Sequence, residues 1–314
     1  MVRSKFPNYR LELRDDIQID DEDDGRFIKY WVNKTQLGRC LFKSAFPFSS
    51  SPVRVRMDWR EKVACELGKL IGLPVARTEL AILSLETAKV LQGSISVDYN
   101  FQGREVISLR SFLSKVDPNY DNAYSEDYID GYNVQSAIEQ LRTHRVGLPP
   151  DWQQIEGTQD AADVLVGYLM FDCWLSATDR HDENIEIAID ANGYYLCPSF
   201  DHGDCLGTKL SPQQLQIRDF DSPRLTESCW WEEEEISTTR AFEIGANLAP
   251  IAANAWKRQL DRITIEEIEG IFGQIPDELI DSAEADFAIE LLDYNRQRIM
   301  SIDISLSNTK SDLH

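Results

Sequence analysis

A chain of 314 residues with 32 basic and 54 acidic side chains, a net charge of −22, is poorly suited to tracking a phosphate backbone or lying on anionic lipid. Direct nucleic-acid binding and membrane attachment are therefore not expected. Hydrophobic residues make up 42%, enough for a sizeable core, and no run approaches the roughly 20 apolar residues of a membrane span. Cys40, Cys65, Cys173, Cys197, Cys205 and Cys229 form no CxxC pair and have no zinc-ligand spacing to the four histidines. They read as the reduced thiols of a cytoplasmic protein, and MVRSKFPNYR lacks the apolar core of a signal peptide.

Taken in chain order, residues 1–24 read as an acidic arm, with DDIQIDDEDD too charged to pack. RFIKYWV and RCLFKSAF predict two strands joined by an NKTQLG turn, followed by a Ser/Pro loop over 46–54. Val63, Leu67, Leu70 and Ile71 share one face of a helix over 58–72, which Gly72 and Pro74 end. Two further strands are predicted over 76–83 and 91–99. From about residue 106 the pattern turns helical, with helices over 132–145, 159–177, 240–259, 264–273 and 277–300. Thr264 and Glu267 form a capping box, and Ser211-Pro212 is a helix start. The fold class is α+β and bilobal: a small β-rich lobe over 25–105, a larger, mostly helical lobe over 106–300 and a polar tail over 301–314.

The chemistry-bearing stretch is ATDRHDENIEI, at 177–187, running into the alternating strand Ile185, Ile187, Ile189 and then Asn192-Gly193, a strong hairpin-turn signal. With Asn192 and Gly193 as the turn, Ala191 faces Tyr194 and Asn184 faces Asp201, bringing an amide oxygen and a carboxylate together. Asp179, five residues upstream of Asn184, curls over the same spot. Such hard oxygen ligands suit magnesium, and the chemistry they serve is phosphoryl transfer, with a free aspartate orienting the attacking hydroxyl. Lys43, inward-facing on its strand, needs a carboxylate or phosphate, and Glu61 is its partner. Arg180 is expected to pair with a nearby carboxylate.

These pieces together, GRFIKYW, LFKSA, EKVACELGKLIGLPVARTEL, QGSISVDYN, MFDCWLSATDRHDENIEI and SFDHGDCLG in that order, resemble the HipA-like serine/threonine kinases, a bacterial branch of the protein-kinase-like fold, over roughly residues 25–300. The resemblance implies that Asp179 is the catalytic base, that Asn184 and Asp201 hold Mg2+, and that Lys43 contacts the ATP phosphates, paired with Glu61. It also implies a phosphate loop with Gly25 and Lys29, a hinge at Ser96, Val97 and Asp98 that meets adenine through backbone groups, and a packing role for His181; His202 is assigned no chemistry. Residues 205–232 would help form the substrate groove. Thr208, Ser211, Ser222, Thr226 and Ser49 to Ser51 are hydroxyls that could be phosphorylated, and WWEEEE reads as an acidic helix start. The expected partners are ATP and a protein substrate. An antitoxin-like partner is known for some relatives, but only a 24-residue acidic arm precedes the small lobe here, and that partnership is not carried over. An inactive nucleotide-binding regulator and a small-molecule or lipid kinase are the competing readings. Four intact site residues weigh against the first, and the acidic charge weighs against a lipid substrate.

Overall fold

The computed structural model describes residues 4–12, 17–18, 27–47, 56–85, 90–99, 103–117, 120, 132–232 and 234–304. Gly25, Ser49 to Ser51 and most of the tail lie outside them.

The small lobe is built on a six-stranded sheet. Its strands are β1 (Asn8–Glu12), β2 (Ile17–Gln18), β3 (Phe27–Thr35), β4 (Gly38–Pro47), β5 (Thr78–Ser84) and β6 (Val90–Val97), in the order β1-β5-β6-β4-β3-β2. Helix α1 (Asp58–Leu70) connects β4 to β5. All pairings are antiparallel except β1 on β5. Period-two alternation gives the sheet two apolar faces. Val32, Cys40, Phe42, Ala81, Leu83 and Ile95 form a core on one side, while Leu80 joins Trp59, Val63 and Leu67 of α1 in the main core. The acidic arm is thus partly sheet. Asn8–Glu12 closes the β5 edge with Leu11 buried, and Ile17–Gln18 pairs with Val32 and Trp31. An apolar residue at alternate positions was enough to recruit each segment despite its charged neighbours.

The second lobe begins with β7 (Glu105–Ser108), which pairs with β8 (Glu186–Asp190) and so places the expected boundary at 105/106 inside a strand. It continues through α2 (Leu109–Val116), α3 (Val134–Thr143) and α4 (Ala161–Leu175), then β8 and β9 (Gly193–Leu196). The chain then passes through α5 (Pro212–Ile217), α6 (Pro223–Thr226), β10 (Glu227–Trp231), β11 (Glu235–Ser237), α7 (Thr238–Leu248), α8 (Pro250–Asp261), α9 (Ile265–Phe272) and α10 (Ser282–Ser301). Every residue of α4 is buried, and α3, α7, α8 and α10 pack around it. The capping boxes at Ser211 and Thr264 both form. WWEEEE is not a helix start but the turn of the β10–β11 hairpin; the helix begins at Thr238, capped by the Ser237 side chain. The helix expected over 240–259 is two, divided at Ala249 because Pro250 cannot continue a helix and instead starts the next one. Among the described residues no helix is long and apolar enough to cross a membrane. All six cysteines are free thiols.

Candidate active site

Lys43 sits on β4 directly opposite Lys29 on β3, and residues facing each other in an antiparallel pair share a face. Two opposed lysines repel, so the position calls for anions between or above them. Lys43 Nζ donates to Glu61 Oε1 at 3.2 Å and to Asp201 Oδ1, and lies 5.0 Å from the centre of the Phe27 ring. Burial would raise the Asp201 carboxyl, but the Lys43 ammonium, with Lys29 further off, holds it well below the usual carboxylate range. Burial would lower the Lys43 amine, but Asp201 and Glu61 hold it above its ordinary value. Glu61 is pushed up, by burial against the pull of Lys43 and by the neighbouring Asp201 carboxylate. Lys43 thus sits between two carboxylates and bonds both.

Glu61 is clamped on its second oxygen as well, where the His202 backbone N–H donates to Oε2 at 2.9 Å. Asp201 reaches Lys43 from a left-handed backbone, φ +54°, a conformation that aspartate tolerates better than most residues. Two residues on, space is tight at Gly203: a Cβ there would meet Glu61 Oε1 at 3.0 Å and Met57 Cβ at 3.1 Å, so those neighbours would have to give way. Gly203→Ala should therefore cost about 1–3 kcal/mol in urea unfolding and displace Glu61; an unchanged midpoint would show that the helix yields freely. His202 is buried, shares a hydrogen bond with Ser199 Oγ (2.8 Å) and meets the Phe171 ring edge-on. Burial, with Arg180 nearby, keeps it well below the ordinary imidazole range, so it is a neutral structural group.

Helix α4 ends at Ser176, in the left-handed region at φ +53°, and delivers the chain into the loop 177–184. Asn295 of α10 fixes that exit, donating to the Trp174 carbonyl and the Ser176 hydroxyl, both at 3.0 Å. Within the loop, Arg180 is buried and its fork binds both oxygens of the buried Asp172 (3.0–3.2 Å). Its Nη1 also donates to the Asn184 carbonyl (3.0 Å) and the Phe200 carbonyl (2.7 Å). Asp182, fully buried, accepts two to three bonds from Arg110 of α2 and one from the Tyr120 hydroxyl. With the loop's back side locked, Asp179 is left exposed on its front. Asn184 donates its amide to the Asp179 carbonyl at 2.7 Å, which leaves Oδ1 as its acceptor.

The hairpin register differs from expectation. Asp190 faces Gly193 and Ile187 faces Leu196, so the turn is Ala191-Asn192. The Asp190 side chain accepts the Asn192 N–H (2.7 Å) and is held by Arg104 (2.8 Å), which tightens the turn one residue early. Extended through this register, Asn184 would oppose Ser199 rather than Asp201. The two segments that carry these residues are linked by Arg180 instead, which binds the carbonyl of Asn184 and that of the residue preceding Asp201.

Ser96 and Val97 lie in β6, the Val97 N–H donates to the Arg77 carbonyl and the Asp98 N–H to the Arg39 carbonyl, both at 2.9 Å. Those two amides are engaged by the sheet, so a base meeting this segment would do so through other groups. His181 is not packed in the interior: its side chain is one-third exposed, and Nδ1 accepts the Glu183 N–H at 3.3 Å. Arg180 meets a carboxylate as expected, that of Asp172, whereas Arg110 and Asp182 were the supporting pair missing from the motif reading. Two cavities, of about 500 and 640 Å3, lie among α7, α8 and the end of α10 and share no residue with this cluster.

Among the described residues no group of three histidine, cysteine or acidic side chains could hold a metal alone. One carboxylate and one amide oxygen do fit magnesium, which keeps several waters and relies on substrate phosphates for further ligands.

No family model matches the chain, and no curated protein matches it. Solved structures do. The Helicobacter pylori proinflammatory kinase CtkA superposes with a TM-score of 0.62 at 17% identity, over 95% of this chain and 100% of that one. HipA from Shewanella oneidensis, solved with HipB and operator DNA, superposes with a TM-score of 0.55 at 12% identity, over 88% of this chain and 63% of that one. The fold is that of the HipA-like kinases: a bilobal α+β architecture with a β-rich first lobe and a mostly helical second one.

Proposed function

We propose that this protein is an ATP- and magnesium-dependent kinase that transfers the γ-phosphoryl group to serine or threonine hydroxyls of a protein substrate. The observation that carries the reading is Lys43, opposite Lys29 on one sheet face, held between Glu61 and Asp201, with the loop that bears the exposed Asp179 tied through Arg180 to the Phe200 carbonyl next to Asp201. In this reading Lys43, positioned by Glu61, holds the ATP phosphates, and Lys29 adds a second cation at the same face. Asn184 Oδ1 and Asp201 hold magnesium, which neutralises phosphate charge when bound. Asp179 accepts or orients the proton of the attacking hydroxyl. The work is positioning and charge compensation rather than covalent chemistry. Gly25, ahead of β3, belongs to the proposed phosphate loop, and the lobes are taken as 25–105 and 106–300 with the strand β7 at their junction. The six free thiols support a cytoplasmic setting. The HipB and DNA partnership of the Shewanella protein is left out of the reading, because this chain spans 63% of that one.

The test is incubation with γ-labelled ATP, magnesium and a generic protein substrate, beside Lys43→Met and a chelated control. Label on protein that falls by about 10²-fold or more in the variant and disappears without magnesium is the expected result. Magnesium-dependent ATP binding with no labelled protein would overturn the protein-kinase reading in favour of a small-molecule kinase or an inactive regulator.

A further inference from the structure

Arg60 precedes Glu61 on α1, and consecutive helix positions point roughly 100° apart. Glu61 faces Lys43, while Arg60 enters the second lobe, where its side chain is 1% exposed. There Nη2 donates to Glu284 Oε1 at 3.1 Å, and Nη1 binds the Arg56 carbonyl one turn back. Nε has no hydrogen-bond partner among the described residues. Glu284 lies in the first turn of α10, with its own N–H capped by Asp281 at 2.8 Å. The Arg60 guanidinium also lies 4.1 Å from the Trp59 ring centre, and Trp59 in turn meets Phe272 edge-on. Rotating α1 to withdraw Glu61 would drag a buried guanidinium off its only ion-pair partner among the described residues.

We propose that Glu284 is a positioning residue: through Arg60 it fixes the rotation of α1, so that Glu61 meets both Lys43 and the His202 amide. Its consequence for rate rests on the kinase reading; its consequence for geometry does not. Two readouts separate them. The first is hydrogen exchange at the His202 amide, the donor to Glu61. The second is kcat and KM for ATP. Both are taken for Glu284→Ala, Glu61→Ala and the double variant, with helicity checked by circular dichroism.

Glu284→Ala should speed exchange at His202 by about tenfold and lower kcat by about tenfold, with a smaller change in KM. In the Glu61→Ala background the same replacement should change neither further, because the partner of Lys43 and the acceptor of the His202 N–H are both already gone. Equal effects in both backgrounds, or wild-type exchange at His202 in folded Glu284→Ala, would overturn the proposal. If Glu284→Ala does not fold, Glu284→Gln, which keeps the shape and one acceptor oxygen, is judged on the same comparison. If the wild-type chain transfers no phosphoryl group, the kinase reading fails, and exchange alone decides the role of Glu284.

Discussion

Asp179→Asn should lower phosphoryl transfer by about 10²–10⁴-fold, the range associated with a general base, while magnesium-dependent ATP binding stays within about threefold of wild type. The separation follows from geometry. Asp179 contributes its backbone carbonyl to the architecture, by accepting the Asn184 amide, and that carbonyl survives the substitution. Its carboxylate makes no ion pair among the described residues and is exposed at the front of a loop whose back is tied to Asp172, Arg110 and Tyr120. Asparagine is nearly isosteric, so the loop should hold its shape and only the proton acceptor is lost. Asp201→Asn is the contrasting case. It removes the charge that holds Lys43 protonated and one candidate magnesium ligand, so binding and transfer should fall together. Transfer by Asp179→Asn at the wild-type rate would remove that residue from the mechanism, and ATP binding and transfer by Asp201→Asn at wild-type levels would do the same for Asp201.

Residue type and order made the individual site residues legible; the geometry joining them was less so. Lys43 and Glu61 could be paired from sequence because an inward lysine on a strand and a carboxylate one turn into the next helix leave each other little choice. Arg180 could be expected to meet a carboxylate for the same reason, and the structure supplies Asp172, one of two aspartates in helix α4. The hairpin register was not legible. Asn-Gly is a strong turn signal, yet Asp190 one position earlier captured the Asn192 amide and Arg104 held it there, a competition decided by a contact 86 residues away in the chain. The two-residue change of partner kept the same faces inward, Ile187 and Leu196 remaining buried, so the apolar pattern could not distinguish the alternatives. A hinge leaves little trace in sequence for a related reason: backbone groups carry no side-chain signature, and here the amides of Val97 and Asp98 are engaged by the Arg77 and Arg39 carbonyls. The short strands β1, β7, β10 and β11 were hidden because three to five residues beside charged or aromatic neighbours give too little periodicity to read.

The largest structural effect is expected at Arg180. Its guanidinium joins three parts of the chain: Asp172 on α4, the Asn184 carbonyl at the end of the loop and the Phe200 carbonyl next to Asp201. Arg180→Met leaves Asp172 buried and unpaired and should cost about 3–5 kcal/mol of stability in denaturant unfolding. The double replacement Arg180→Met with Asp172→Leu removes both charges and fills similar volume, and replacing a whole buried pair by apolar side chains is often neutral or better. Stability should therefore return in the double variant. Phosphoryl transfer should not, because methionine cannot donate to either carbonyl, and those two bonds tie the Asn184 end of the loop to the residue before Asp201. A double variant that regains transfer along with stability would mean that packing alone aligns the two ligands. Stability recovered without transfer would show that Arg180 is retained for the alignment of Asn184 and Asp201, with Asp172 present to make its charge tolerable in the core.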